Sequence, residues 1–116
     1  MGIEIKPGQA LRLLHRNAMT QARRTGPDLT ARQTAILLTV YLDPPPHTVR
    51  GLAEKLHIAK PVVTRALDTM GRMNLLERGR DPADLRNVLV RRTVEGSLFI
   101  SDMADRLVTE AGALTR

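Results

Sequence analysis

The sequence predicts a mainly α fold of about five helices with one small β-hairpin appended. Three observations lead there. Apolar residues recur at three- and four-residue spacing in successive stretches broken by Gly and Pro. Threonines 30, 48 and 93 stand where helix caps are needed. After Leu75 the helical period gives way to two short runs joined by a charged, proline-containing loop.

The elements follow in order. Over residues 8–24, Leu11, Leu14, Ala18 and Ala22 form one stripe, with Arg12, Arg16, Arg23 and Arg24 elsewhere around the cylinder. Thr25-Gly-Pro-Asp ends that helix. Thr30 and Gln33 fit a capping box for a second helix running through Ile36, Leu37, Val40 and Tyr41 to Asp43. Pro44-Pro45-Pro46 cannot continue a helix and makes a stiff link. Thr48 caps a short third helix that buries Leu52, Ala53 and Leu56, and His57-Ile-Ala is the turn.

The fourth helix spans 60–73, with Pro61 where a missing amide hydrogen does no harm. Val62, Val63, Ala66, Leu67, Met70 and Met73 form its apolar stripe; Pro61, Thr64, Arg65, Asp68 and Arg72 form the other face. Strands are expected over 75–80 and 87–92, with 81–86 as the connecting loop. Thr93 caps a last helix, 94–114.

Length suits a single domain over residues 1–116. No apolar run nears the roughly 20 residues that span a bilayer, and the first residues lack a secretory pattern. No membrane partner is therefore expected, and the location is cytoplasmic. The chain has no cysteine, which excludes disulfides, thiol redox switches and Cys-based zinc sites. Its net charge of +6 is concentrated in the middle. Residues 47–92 hold ten Lys/Arg against five acids, residues 1–46 six against three, and residues 93–116 two against four. A basic centre suits a polyanion, because neutralising phosphates releases counterions.

Short helix, turn, second helix and basic hairpin, over 48–92, make the order of a winged helix-turn-helix. In that arrangement helix 60–73 enters a DNA major groove and the wing, 80–87, the minor groove beside it. Base-reading residues lie near a recognition helix's amino end, here Lys60, Pro61, Thr64 and Arg65. Arg65 can make a bidentate contact to guanine, Thr64 a hydrogen bond, and Pro61 an apolar contact with a thymine methyl. Arg86, in the loop, suits the strong negative potential of a narrow minor groove, with Asp84 orienting its guanidinium. Arg78, Arg80 and Arg91, on the strands, reach flanking phosphates.

Catalysis finds no support. The serines, Ser97 and Ser101, do not form a nucleophile elbow, no phosphate-cradling glycine loop is present, and His15, His47 and His57 lack metal-ligand spacing. No catalytic residue, cofactor or metal is expected.

Leu29-Thr-Ala-Arg-Gln, Thr48-Val-Arg-Gly-Leu-Ala-Glu-Lys-Leu, Val63-Thr-Arg-Ala-Leu-Asp and Arg80-Asp-Pro-Ala-Asp-Leu-Arg-Asn-Val-Leu-Val resemble the multiple-antibiotic-resistance regulator (MarR) family of bacterial transcription factors. The likeness covers about Leu29 to Leu98. It implies a dimeric, nucleoid-associated regulator of double-stranded, pseudo-palindromic DNA. By position Asp84 and Arg86 match the family's wing pair, Thr64 and Arg65 its polar recognition-helix positions, and Arg50 starts the supporting helix. Three positions depart from the pattern. Ala59 replaces a frequent Ser/Thr cap, Pro61 a commonly polar residue, and Leu85 an often charged wing position.

The chain is also shorter than the family at its terminal helices, 8–24 and 94–114, which the resemblance makes the dimer region. The expected interface residues are Leu11 and Leu14, with Leu98, Phe99, Met103, Leu107, Val108 and Leu114. A small-molecule effector, common in the family, is not expected here. Tyr41 and Phe99 are the only aromatics, and short terminal helices leave little material for a pocket. The rival reading is a winged-helix module that binds protein, or DNA architecturally, with weak sequence preference.

Overall fold

The computed structural model describes residues 2–114. It contains α1 (Pro7–Arg23), α2 (Ala31–Leu42), β1 (His47–Thr48), α3 (Val49–Leu56), α4 (Lys60–Arg72), β2 (Leu76–Asp81), β3 (Asp84–Arg92) and α5 (Val94–Gly112). The five expected helices are all present among the described residues. The chain divides into two compact units, residues 29–100 and residues 1–28 with 101–116.

The unit of residues 29–100 holds the core. Ile36, Leu37 and Val40 of α2, Leu52 and Ala53 of α3, and Val63, Ala66, Leu67 and Met70 of α4 are buried at helical spacing. Leu75, Leu76 and Val90 close the core from the sheet side. Of the expected stripes, Leu56, Val62 and Met73 are only half-buried. The helix starts are locally determined. Thr30 Oγ1 accepts from the Gln33 amide at 3.1 Å, while Gln33 Oε1 accepts from the Thr30 amide at 2.9 Å. Thr48 Oγ1 accepts from the Gly51 amide at 2.9 Å, and Thr93 Oγ1 from the Gly96 amide at 2.9 Å. Ala59 leaves α4 without a side-chain cap. His57 ends α3 in the left-handed region, at φ 54°.

The sheet corrects two expectations. It has three strands in the order β1-β3-β2, because His47 and Thr48 pair antiparallel with Val90 and Leu89. The wing loop is also shorter than expected: β3 begins at Asp84, so Asp84, Leu85 and Arg86 are strand residues and the turn is Pro82-Ala83. Asp81 pairs with Asp84 across a bulge at Arg80/Asp81. An Asp81 carboxylate oxygen accepts from the Ala83 amide at 2.9 Å, which closes the turn tightly.

At the end of this unit Tyr41 ties several segments together. Its hydroxyl lies 2.8 Å from the Leu75 carbonyl and accepts from the Thr93 amide at 3.0 Å. Gly96 sits so close that an added Cβ would stand 1.8 Å from that hydroxyl and 2.2 Å from the Leu75 carbonyl.

The other unit is built differently. No residue of α1 is buried. Its polar contacts with the distal part of α5 are Arg24 to Asp102 at 3.0 Å and Thr20 Oγ1 donating to Glu110 Oε1 at 2.8 Å. Leu114 lies beyond the end of α5, which stops at Gly112.

Candidate nucleic-acid interface

Fold and capping place α4 with one face in the core and the other open. Lys60, Pro61 and Arg65 are exposed there and Thr64 is half-buried. The amino end, which has no side-chain cap, and the Lys60 cation there favour phosphate. Arg65 stands outward on the helix, with no side-chain partner among the described residues.

Alongside α4 the structure gathers residues from β1, α3, α4, β2 and β3 into one cleft of about 230 Å³. Arg50 comes from α3, Lys60 and Thr64 from α4, Arg78 from β2, and Arg86 and Asn87 from β3. Four cations and no carboxylate line it. Arg78 and Arg86 are each paired with a carboxylate outside the lining, whereas Arg50 and Lys60 have no ion-pair partner among the described residues and keep the local potential positive, the arrangement an anionic backbone needs. Pro61, Arg65 and Arg80 lie outside this cleft. Asn87, which no sequence motif singles out, reaches the cleft through the pairing of β3 with β2.

The arginines are individually positioned. Arg78 donates to an Asp68 carboxylate oxygen at 2.5 Å, which ties β2 to the recognition helix. Arg80 Nη1 donates to the Leu85 carbonyl at 2.7 Å, so its guanidinium braces the wing backbone. Arg86 Nε and Nη2 donate to the two carboxylate oxygens of Asp84 at 3.1 and 3.2 Å, a fork-to-fork pair. The Arg86 side chain is 88% exposed, so the pair orients the guanidinium without withdrawing it from solvent. Hydrogen bonds from the Arg86 side chain and amide hold the Asp84 carboxyl below its ordinary range, with the Arg50 charge adding to this. Leu85 stays 65% exposed between them.

The expected interface residues divide. Leu11, Leu14, Leu98, Leu107 and Val108 are exposed, with Val108 at 72%, and Met103 and Leu114 are half-buried. Phe99 packs against the core of residues 29–100 instead of standing free.

A pocket, expected to be hard to build, is present. A groove of about 350 Å³ opens beside the root of β3, within residues 29–100. His47 is buried there, with Nε2 3.1 Å from the carbonyl of Asp43, the residue that ends α2. Among the described residues no group of three or more His, Asp or Glu could hold a metal ion, and no helix is long and apolar enough to cross a membrane.

The MarR family model matches residues 29–88. Solved structures share the fold. Transcriptional regulator Tm0710 from Thermotoga maritima is 23% identical at TM-score 0.70, over 86% of this chain and 68% of its own. A MepR–DNA complex from S. aureus is 19% identical at TM-score 0.75, over 88% and 82%. PcaV of Streptomyces coelicolor, in complex with its natural ligand, is 24% identical at TM-score 0.64, over 95% and 80%. No curated protein matches the chain.

Proposed function

The chain belongs to the MarR family of transcriptional regulators, and from that premise we propose that it reads double-stranded DNA in sequence-specific fashion as a homodimer, in the cytoplasm on the nucleoid. The observation that carries this reading is the carboxylate-free cleft between α4 and the wing. Helix α4 enters the major groove, where Pro61, Thr64 and Arg65 meet base edges. Arg86, held by Asp84, enters the adjacent minor groove. Arg50, Lys60 and Arg78 neutralise phosphates along the way. Arg80 works chiefly through the wing backbone that it braces.

A homodimer is supported by the apolar side chains left open on α1 and α5, foremost Leu11, Leu14 and Val108. A two-fold dimer matches a pseudo-palindromic operator. MepR, a relative in fold, has been solved on DNA. An effector is part of the reading as well, since PcaV carries a natural ligand and residues 29–100 contain a groove of useful size.

Selection of tight-binding duplexes from a random library at near-physiological salt tests this. Enrichment of an inverted repeat with half-sites about one helical turn apart is the expected result. Binding without enrichment that vanishes as salt rises would overturn sequence reading. It would favour an architectural or protein-binding module, for which the exposed Leu85 at the wing speaks.

A further inference from the structure

The wing carries apolar side chains at its tip although arginines flank them. Pro82 and Ala83 of the turn are exposed, and so is Leu85. Arg80 pairs with Val88 and Asp81 with Asp84, so β3 inserts Leu85, Arg86 and Asn87 between two adjacent residues of β2. A bulge of this kind re-aims the side chains it carries. Arg86 and Asn87 line the basic cleft, whereas Leu85 is no part of that lining.

The backbone that holds the leucine is braced on both sides. Arg80 Nη1 donates to the Leu85 carbonyl at 2.7 Å, and the Arg86 amide donates to Asp84 Oδ1 at 3.1 Å. Such a segment has little backbone freedom left to lose when a partner covers the side chain. Its surroundings say which partner. Arg86, the next residue, holds its guanidinium in solvent, and the cleft beside it is lined by four cations and no carboxylate. An anionic partner fits that setting. Duplex DNA also offers apolar surface there, since wedges such as leucine enter its minor groove between base steps.

Leucine and arginine ask different things of a minor groove. Arginine gains from a narrow one, where negative potential is concentrated, and stiff A-tracts supply it. Leucine gains nothing from that potential and needs room, which flexible pyrimidine–purine steps give by opening or unstacking. We propose that Leu85 is a wedge seated in the minor groove against such a step, so that the DNA under the wing is chosen for its deformability. The proposal rests on the DNA reading above and names the kind of sequence that the wing requires.

The test repeats the duplex selection with the full chain, wild type, Leu85→Ala and Leu85→Lys. Salt-dependent affinity and end-to-end energy transfer are then measured on the best wild-type duplex. The wild-type pool should hold a TA or CA/TG step at a fixed distance from each half-site. Leu85→Ala should keep the half-sites, lose that step, and bind the wild-type duplex about tenfold more weakly. Its salt slope should not change, because no phosphate contact is removed, and the labelled ends should lie farther apart. Leu85→Lys should steepen the slope by about one and move the pool toward A-tracts. Thermal unfolding should be the same for all three, since the side chain is exposed. A Leu85→Ala pool identical to wild type, with equal bending, would overturn the wedge and leave the half-site reading in place; the leucine would then be open to a protein partner. Failure of the wild-type chain to enrich any duplex would remove both.

Discussion

Residues 29–100 and the helix α1 use apolar side chains in opposite ways. Every fully buried aliphatic side chain of the core lies between Ile36 and Val90. Over α1, by contrast, the apolar stripe is present in sequence and nothing in it is buried; Leu14 is 65% exposed. One region buries a core of its own, although Leu42, Leu85, Val94 and Leu98 stay exposed on it, and the other buries none of its stripe. A helix of that kind gains most of its stability from packing, and in the proposed homodimer the stripe is where the second copy would supply it.

The comparison can be broken most directly by a pair of substitutions. Leu67→Ala, at 1% exposure, should cost about 2–5 kcal/mol of unfolding free energy in chemical denaturation. Leu14→Ala should cost no more than about 0.5 kcal/mol on the same scale. It should instead shift sedimentation equilibrium toward monomer. Equal losses of stability, with association unchanged, would mean α1 belongs to a closed core after all.

Tyr41→Phe comes next. It leaves the Thr93 amide and the Leu75 carbonyl without their shared partner, and about 1–3 kcal/mol of stability should be lost. A comparable number on a different scale is expected for Arg65→Ala. It should cost about 1–3 kcal/mol of operator affinity, relax preference at one base pair and leave thermal unfolding unchanged. An unchanged base preference would remove Arg65 from the reading face.

The smallest effect concerns the wing. The Asp84 carboxyl is held below the ordinary 3.8 by its bonds from Arg86, so the charged form is favoured in the folded protein. The clamp is therefore complete above that value and is lost only as pH falls through the lowered one. A ¹³C titration of the Asp84 carboxyl should place its midpoint below 3.8, and Arg86→Ala should return it toward that value. A wild-type midpoint at or above 3.8 would show that the pair does not persist in solution.

What was legible in the sequence is what is encoded locally. The Thr30–Gln33 box, the Thr48 and Thr93 caps, and the stripes of α2 and α4 depend on residues three or four apart, and each stands where the sequence puts it, save that Val62 and Met73 are only half-buried. The misses need partners from far along the chain. β1 is two residues long and exists only because Leu89 and Val90 pair with it. β3 starts three residues early because Asp81 closes a tight turn and Arg80 bonds the Leu85 carbonyl. Phe99 reads as one more member of an exposed stripe until the core beneath it is seen. The arginines of the candidate interface were legible by type, whereas their assignments to Asp68, the Leu85 carbonyl and Asp84 were less so. Only the last pair lies two residues apart.

The closeness of Gly96 to Tyr41 has a consequence for variation at that position. Ordinary sites sort substitutions by polarity, size or charge, giving a graded ranking. At position 96 the atom that does not fit is the first one that any other residue adds, and one of its neighbours is backbone that cannot turn aside. A saturation library there should be two-valued, with glycine tolerated and alanine nearly as damaging as tryptophan. Shortening the neighbour by Tyr41→Phe would relieve only part of it, because the Leu75 carbonyl stays where it is.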